Sequence, residues 1–172
     1  MIKTALKNKA AFRAHTPKWA VAPTSGTGAG QHGGRVNRIG VDALYLSLDE
    51  VTAIAEYKQL GPLLPPATMV SYLVTVDSIA DFTAGFDPKE WNELWQDFYC
   101  DWREIWFNQR VEPPSWVLGD QLITAGYKGL LFKSCLVSGV NLVLFTGQLT
   151  TIDQIQVYDP NGALPKNQDS WQ

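Results

Sequence analysis

Gly33-Gly34-Arg35-Val36-Asn37-Arg38-Ile39-Gly40, running into Val41-Asp42-Ala43-Leu44-Tyr45-Leu46-Ser47, is the stretch on which the reading of this chain turns. Residues 41–47 have the apolar character of a buried strand. The glycines ahead of them lead into that strand, whereas a dinucleotide fingerprint follows a strand and opens a helix. That order excludes the Rossmann and P-loop readings of the glycines at 26, 28, 30, 33 and 34. It leaves either flexible backbone around a ligand or a plain surface loop. Just downstream, Ser47 and Glu50 fit an S-x-x-E capping box, which predicts a helix through about Leu60 with Glu56 inside it. An arginine after two glycines, a tyrosine on a strand and a carboxylate on the next helix can line one pocket. They suit a ligand with a pyrophosphate, an aromatic ring and a bond that breaks with positive charge.

Working outward, residues 11–15 read as a short strand, and residues 16–40 as a long ordered loop, which at this length is usually functional or disordered. Gly61-Pro62 and Pro65-Pro66 end the helix, and Met69–Val76 alternates well enough for a strand. Asp87-Pro88-Lys89-Glu90 reads as a second helix start, with an N-cap and a proline at the first helical position. Trp91, Trp95, Phe98, Tyr99, Trp102 and Trp106 recur at spacings of three, four and seven, a helical stripe that serves either as core or as a partner-binding face. A third helix is predicted over Trp116–Ala125, then strands at Gly129–Phe132, Asn141–Phe145 and Gln154–Tyr158, and a frayed tail from Pro160. Strands not strictly interleaved with helices point to an α+β fold with mostly antiparallel pairing. One domain over 1–172 is the simplest division, with a core at about 11–159 and a flexible tail at 160–172.

Composition limits function. The chain has 172 residues, long enough to bury a core; 45% are hydrophobic and 18% charged, too apolar for disorder. A net charge of −3 argues against a nucleic-acid partner. Cys100 and Cys135 lack metal-ligand spacing, and no apolar run reaches transmembrane length. The basic N-terminus lacks the apolar core of a secretory signal, so the expected location is the cytosol.

Each candidate residue has two readings. Arg35 presents a planar fork suited to phosphate oxygens, or is a surface arginine paired with Asp42. Arg13 lies within an apolar strand, where a buried charge needs a partner, either a ligand phosphate or a carboxylate elsewhere. Tyr45 is a core tyrosine or a stacking wall for a planar heterocycle. Glu56, with Ala53 and Leu60 at i−3 and i+4, lies at the buried face of its helix and is used there, or is exposed and pairs with Lys58 or Lys9. Ser134, at a strand end, reads as a turn residue. With His15 and His32 as the only histidines, a hydrolase triad is a poor fit.

These residues carry a resemblance. Gly34-Arg35-Val36-Asn37 with Gly40, Ala43-Leu44-Tyr45-Leu46-Ser47, Ala55-Glu56, Leu118-Gly119-Asp120, Ala125-Gly126-Tyr127, Leu131-Phe132-Lys133-Ser134 and Asn141-Leu142-Val143-Leu144-Phe145 follow in the order found in RES-domain proteins. Those proteins are the toxins of Xre–RES toxin–antitoxin modules, named for an arginine, a glutamate and a serine. The similarity runs roughly from Phe12 to Phe145. Lys133 stands where a proline often precedes the serine, and Val36 where an aromatic residue is common. The resemblance implies the ADP-ribosyltransferase toxin fold and NAD⁺ as substrate, with no metal. It implies transfer of ADP-ribose to a protein, in one branch phosphoribosyl pyrophosphate synthetase, or destruction of NAD⁺ by hydrolysis or phosphorolysis. Residue by residue, it places Arg13 and Arg35 at the pyrophosphate or ribose, Asn37 among the cofactor-binding residues and Tyr45 on nicotinamide. Glu56 would face the nicotinamide ribose, and Ser134 would orient a bound group. The implied partners are an Xre-family antitoxin covering the site and a protein acceptor, with a homo-oligomer as an open alternative. A non-catalytic nucleotide- or partner-binding module is the rival from another class.

Overall fold

The middle strands of this protein are apolar on both faces because both faces are covered. The computed structural model describes residues 1–169. Its elements are β1 (Lys3–His15), α1 (Thr27–His32), β2 (Ala43–Ser47), α2 (Glu50–Lys58), β3 (Thr68–Asp81), α3 (Pro114–Thr124), β4 (Gly129–Lys133), β5 (Val140–Phe145) and β6 (Gln154–Val157). The strands are ordered β1-β2-β5-β4-β3-β6, and β1 also pairs with β3, so the sheet curls back on itself. Only the β3–β4 pair is parallel among the described residues; the rest are antiparallel. The α+β class with mostly antiparallel pairing is thus observed.

Successive side chains on a strand point to opposite faces, and here each face meets its own core. Leu44, Leu46, Leu131, Leu142 and Leu144 join Val70, Tyr72, Val74 and Val76 of β3 in one cluster. Ala43, Leu130, Phe132, Val143 and Phe145 join Leu118 and Leu122 of α3 in the other, with Trp91, Trp95 and Phe98. Burying a residue such as Leu142 or Phe145 from water contributes about 1.5–3 kcal/mol. The two clusters therefore fix the β2–β5–β4 trio from both sides, and the trio supplies Tyr45, Ser47 and Asn141 to one cavity.

Several elements differ from the sequence expectation. The predicted loop 16–40 contains a 3₁₀ turn at Pro17–Trp19 and the short helix α1. The cap of α2 is Asp49, whose Oδ1 accepts from the Thr52 amide at 2.8 Å; Ser47 remains on β2, opposite Asn141 of β5. No α-helix starts at Asp87: it closes a single turn to Glu90 and Trp91, and the aromatic segment continues as a 3₁₀ turn (Glu93–Asp97) and a π-turn (Glu104–Asn108). The physical reason is Phe82. Trp91, Trp95 and Phe98 wrap around its ring with centroids 5.0, 4.8 and 5.0 Å away, so they surround one point instead of lining a straight helix. Of the stripe, Trp91, Trp95, Phe98 and Trp102 are core, whereas Tyr99 is exposed.

β1 begins at Lys3, not Ala11, and β3 runs on to Asp81. Register irregularities between Thr4 and Leu6 and between Leu6 and Lys9 break the period-two pattern of β1. Of the predicted tail, residues 160–169 fold back: Asp159 accepts from the amides of Ala163 and Leu164, and Gln168 donates to the Lys18 carbonyl. Residues 170–172 lie outside the described residues.

Candidate active site

A cavity of about 530 Å³ opens where β1, β2, α2 and the segments 33–35, 102–107 and 132–136 converge. That size falls within the usual range for ligand pockets. Arg13, Arg35 and Arg103 line it, and Glu56 is the single carboxylate among its described lining residues.

The wall carrying Arg35 is locked by its own neighbours. The Trp116 indole Nε1 donates to the Gly34 carbonyl at 2.7 Å. The Tyr45 hydroxyl donates to Asn37 Oδ1 at 2.7 Å and accepts from the Val36 amide at 3.0 Å. Asn37 Nδ2 in turn donates to the carbonyls of Ala29 and Val41, both at 2.9 Å. Gly34 is needed here, because a Cβ would run into the Tyr45 hydroxyl and Asn37 Oδ1. Arg38 anchors the far side through Asp120 and through Glu112 at 2.5 Å. On this rigid loop, Arg35 Nη1 donates to the Cys100 carbonyl at 3.1 Å and the Phe98 carbonyl at 3.3 Å, with its guanidinium 5.9 Å from the Tyr99 ring centre. Arg35 therefore pairs with carbonyls of the aromatic segment and not with Asp42.

Arg13 projects from β1 into the same cavity. Its Nη1 is buried without a hydrogen-bond partner, so the carboxylate pairing considered for it is not made. Burial holds its guanidinium below the usual arginine range, partly offset by Tyr72 and Tyr45. Two residues on, His15 Nε2 lies 2.8 Å from the Tyr72 hydroxyl, which donates to the Pro23 carbonyl. Burial, and then the charge of Arg13, push the His15 imidazole down to about 4. Burial likewise pushes the Tyr45 phenol above its ordinary range.

At the opposite end, Glu56 Oε1 accepts from Ser134 Oγ at 2.8 Å and from Asn141 Nδ2 at 2.6 Å. Glu56 Oε2 lies 3.3 Å from the amide nitrogen of exposed Gln59, which also donates to the Glu56 carbonyl. Neither Lys58 nor Lys9 is its partner. Ser134 Oγ is itself fixed by the amides of Leu136 at 3.0 Å and Val137 at 3.4 Å. The 134–139 loop presses so close to α2 that a Cβ on Gly139 would overlap Thr52.

The structure thus brings Arg13, Arg35, Tyr45 and Glu56 to one cavity. Ser134 stands behind Glu56 as its hydrogen-bond donor. Asn37, expected to touch a cofactor, is 1% exposed and commits its amide to the loop, so its part is to hold Arg35 and Tyr45 in place. Two residues were missed: Asn141 and Ser47, whose Oγ donates to Asn141 Oδ1 at 2.8 Å. The signal was a polar residue at the end of each of two otherwise apolar strands. Among the described residues no group of three or more His, Cys, Asp or Glu side chains could hold a metal, and no helix is long and apolar enough to cross a membrane. The arrangement offers three arginines, Arg13, Arg35 and Arg103, to an anionic ligand, with an aromatic wall and one oriented carboxylate for a developing positive charge.

Residues 10–167 match the family described as RES domain. In fold, the protein is similar to a chain of the M. tuberculosis MbcT–MbcA toxin–antitoxin complex, with a TM-score of 0.57 and 18% sequence identity. That likeness covers 92% of this chain and 84% of the other. No curated protein sequence matches.

Proposed function

The chain belongs to the RES domain family, and from its cavity we propose that it is a toxin that consumes NAD⁺ and transfers ADP-ribose to a target protein. The observation that carries this reading is the pairing of ends: an unpartnered buried Arg13 beside Arg35, facing a hydrogen-bonded Glu56 in one cavity.

Arg13 and Arg35 take the pyrophosphate, whose oxygens supply the acceptors that Arg13 Nη1 lacks in the protein. Tyr45, held by its hydroxyl, keeps its ring toward the nicotinamide. As the C1′–N bond breaks, its electron pair moves to the ring nitrogen. Nicotinamide leaves neutral, and positive charge grows on the ribose, as in glycoside cleavage. Glu56, fixed through Oε1, turns Oε2 toward that charge; an anion already in place does not have to reorganise during the reaction. The acceptor nucleophile then bonds C1′ and releases its proton to Glu56. No acid is needed for the leaving group and no metal for the nucleophile.

Transfer is favoured because exposed Gln59 and Cys135 border the cavity on the Glu56 side, so a protein side chain can approach from there. Phosphoribosyl pyrophosphate synthetase is the acceptor we put first. The same rim admits water or phosphate, which makes NAD⁺ degradation the second reading. A cognate antitoxin, an Xre-family protein acting in the cytosol, would cover this mouth, in keeping with the toxin–antitoxin complex of similar fold. Incubation with NAD⁺ labelled in its ADP-ribose half and cell lysate tests the proposal. Label on a protein band is the expected result. Free ADP-ribose or its 1-phosphate without a labelled protein removes transfer, and unchanged NAD⁺ with unarrested growth on expression leaves a binding module.

A further inference from the structure

Three strand ends gather beside Glu56, and each brings a polar side chain: Ser134 and Asn141 bond its carboxylate, and Ser47 bonds Asn141. Ser47 ends β2, Asn141 lies near the start of β5, and the two are register partners. Both are buried, at 3% and 5% exposure. Ser134 follows β4, whose Phe132 is the other register partner of Asn141. A buried amide is stable only where both of its ends are satisfied. Here Ser47 Oγ occupies Asn141 Oδ1 at 2.8 Å, which turns Nδ2 toward Glu56 Oε1 at 2.6 Å.

We propose that Asn141, oriented by Ser47, is the positioning residue that aims the Glu56 carboxylate. The inference rests on the NAD⁺-consuming reading of the cavity and deepens it. Glu56 stands near the C-terminal end of a nine-residue helix, and its flexible side chain would otherwise sample several rotamers. Ser134 alone leaves the carboxylate free to turn about one hydrogen bond. A second donor from a different strand fixes its plane: Oε1 accepts from Ser134 and Asn141, while Oε2 accepts only from exposed Gln59, which a substrate can displace.

Two substitutions separate aiming from mere packing. Asn141→Asp keeps the shape and the bond from Ser47 but sets a second carboxyl against Glu56, so that the pair holds one proton and Glu56 no longer keeps its full charge. Asn141→Ala removes the donor and leaves a small cavity. If Asn141 aims Glu56, kcat for NAD⁺ cleavage falls about 10- to 100-fold in both, with Asp at or below Ala, while KM stays within about threefold. Ser47→Ala, which frees the amide to rotate, gives a smaller loss in kcat. A packing role predicts the opposite order: the isosteric Asp variant would be mild, and Ala would lower the melting temperature. Parental kcat in Asn141→Asp, or a change confined to KM, overturns the proposal. Should both Asn141 variants fail to fold, Ser47→Ala decides: a lowered kcat at unchanged melting temperature supports it, and parental kcat overturns it. If the parental protein itself leaves NAD⁺ intact, the reading of the cavity fails and this inference with it. If the parent is active and the variants match it, only the inference falls.

Discussion

At one end of the cavity Glu56 accepts from Ser134, Asn141 and Gln59; at the other Arg13 has a buried nitrogen with no acceptor, and Arg35 spends one nitrogen on two carbonyls. The anion is held by the protein through both oxygens, whereas Arg35 is held through one nitrogen only and Arg13 Nη1 is not held. An unpaired buried charge destabilises a fold, while a carboxylate with its donors in place does not. Under the proposed function, the contrast assigns a different task to each end. At the Glu56 end the task is orientation, so the fold supplies every hydrogen bond beforehand. On the proposed reading the task at the arginine end is capture, with N–H donors left free for a ligand that brings its own negative charge.

The largest effect that can break this contrast is at Glu56. Glu56→Gln keeps the size and an acceptor oxygen for Ser134 and Asn141, and loses the charge. Turnover of NAD⁺ should fall by about 10³-fold, comparable to removing a group that stabilises developing charge, with the affinity for NAD⁺ nearly unchanged. Kinetics of nicotinamide release, with binding followed by calorimetry, check both parts. A variant with parental turnover that still arrests growth would mean that the held carboxylate is only structural.

This division also shows what could be read from sequence. β2, β4, β5 and α3 were legible because strands covered on both faces become unbroken apolar runs, as in Leu130-Leu131-Phe132. Glu56 was legible because a carboxylate beside Ala53 on a helix invites a use. Its support was not. Ser47 matched a helix cap equally well, and its pairing with Asn141 depends on the register of strands separated by two helices and two other strands. The tryptophan spacing was also ambiguous, since a chain wrapping Phe82 and a helix both repeat every three to four residues. The amino-terminal half of β1 was hidden by its irregular register, with Asn8 in the left-handed region at φ 47°.

The arginine end gives the next effect through His15. Its folded value of about 4 lies below the ordinary 6.5, so the unfolded chain takes up the proton first. The resulting stability is complete above about 6.5 and is lost as the pH falls toward 4. From the width of that window it is worth at most about 3 kcal/mol. Comparing urea unfolding of the parent and His15→Gln at pH 7 and pH 4.5 isolates this part from other acid effects. The advantage of the parent over the variant should shrink by about 2 kcal/mol at the lower pH. An advantage that does not change with pH would mean that His15 is not held neutral beside Arg13.

Arg13 itself carries the sharpest form of the contrast, although its effect on stability is the smallest. If its charge is kept for a ligand, then Arg13→Met should improve the free protein, because an apolar side chain of similar length replaces an unsatisfied guanidinium. A gain of about 1 kcal/mol in urea unfolding is expected. The same substitution should weaken NAD⁺ binding about 10- to 100-fold, since two charge-assisted hydrogen bonds to a phosphate are lost. Stability and affinity would then move in opposite directions at a single residue. Arg13→Lys should not restore binding fully, because an ammonium cannot present two parallel donors. Loss of stability in Arg13→Met with unchanged affinity for NAD⁺ would reverse the assignment. Arg13 would then be a strut between β1 and Tyr72, and capture would rest on Arg35.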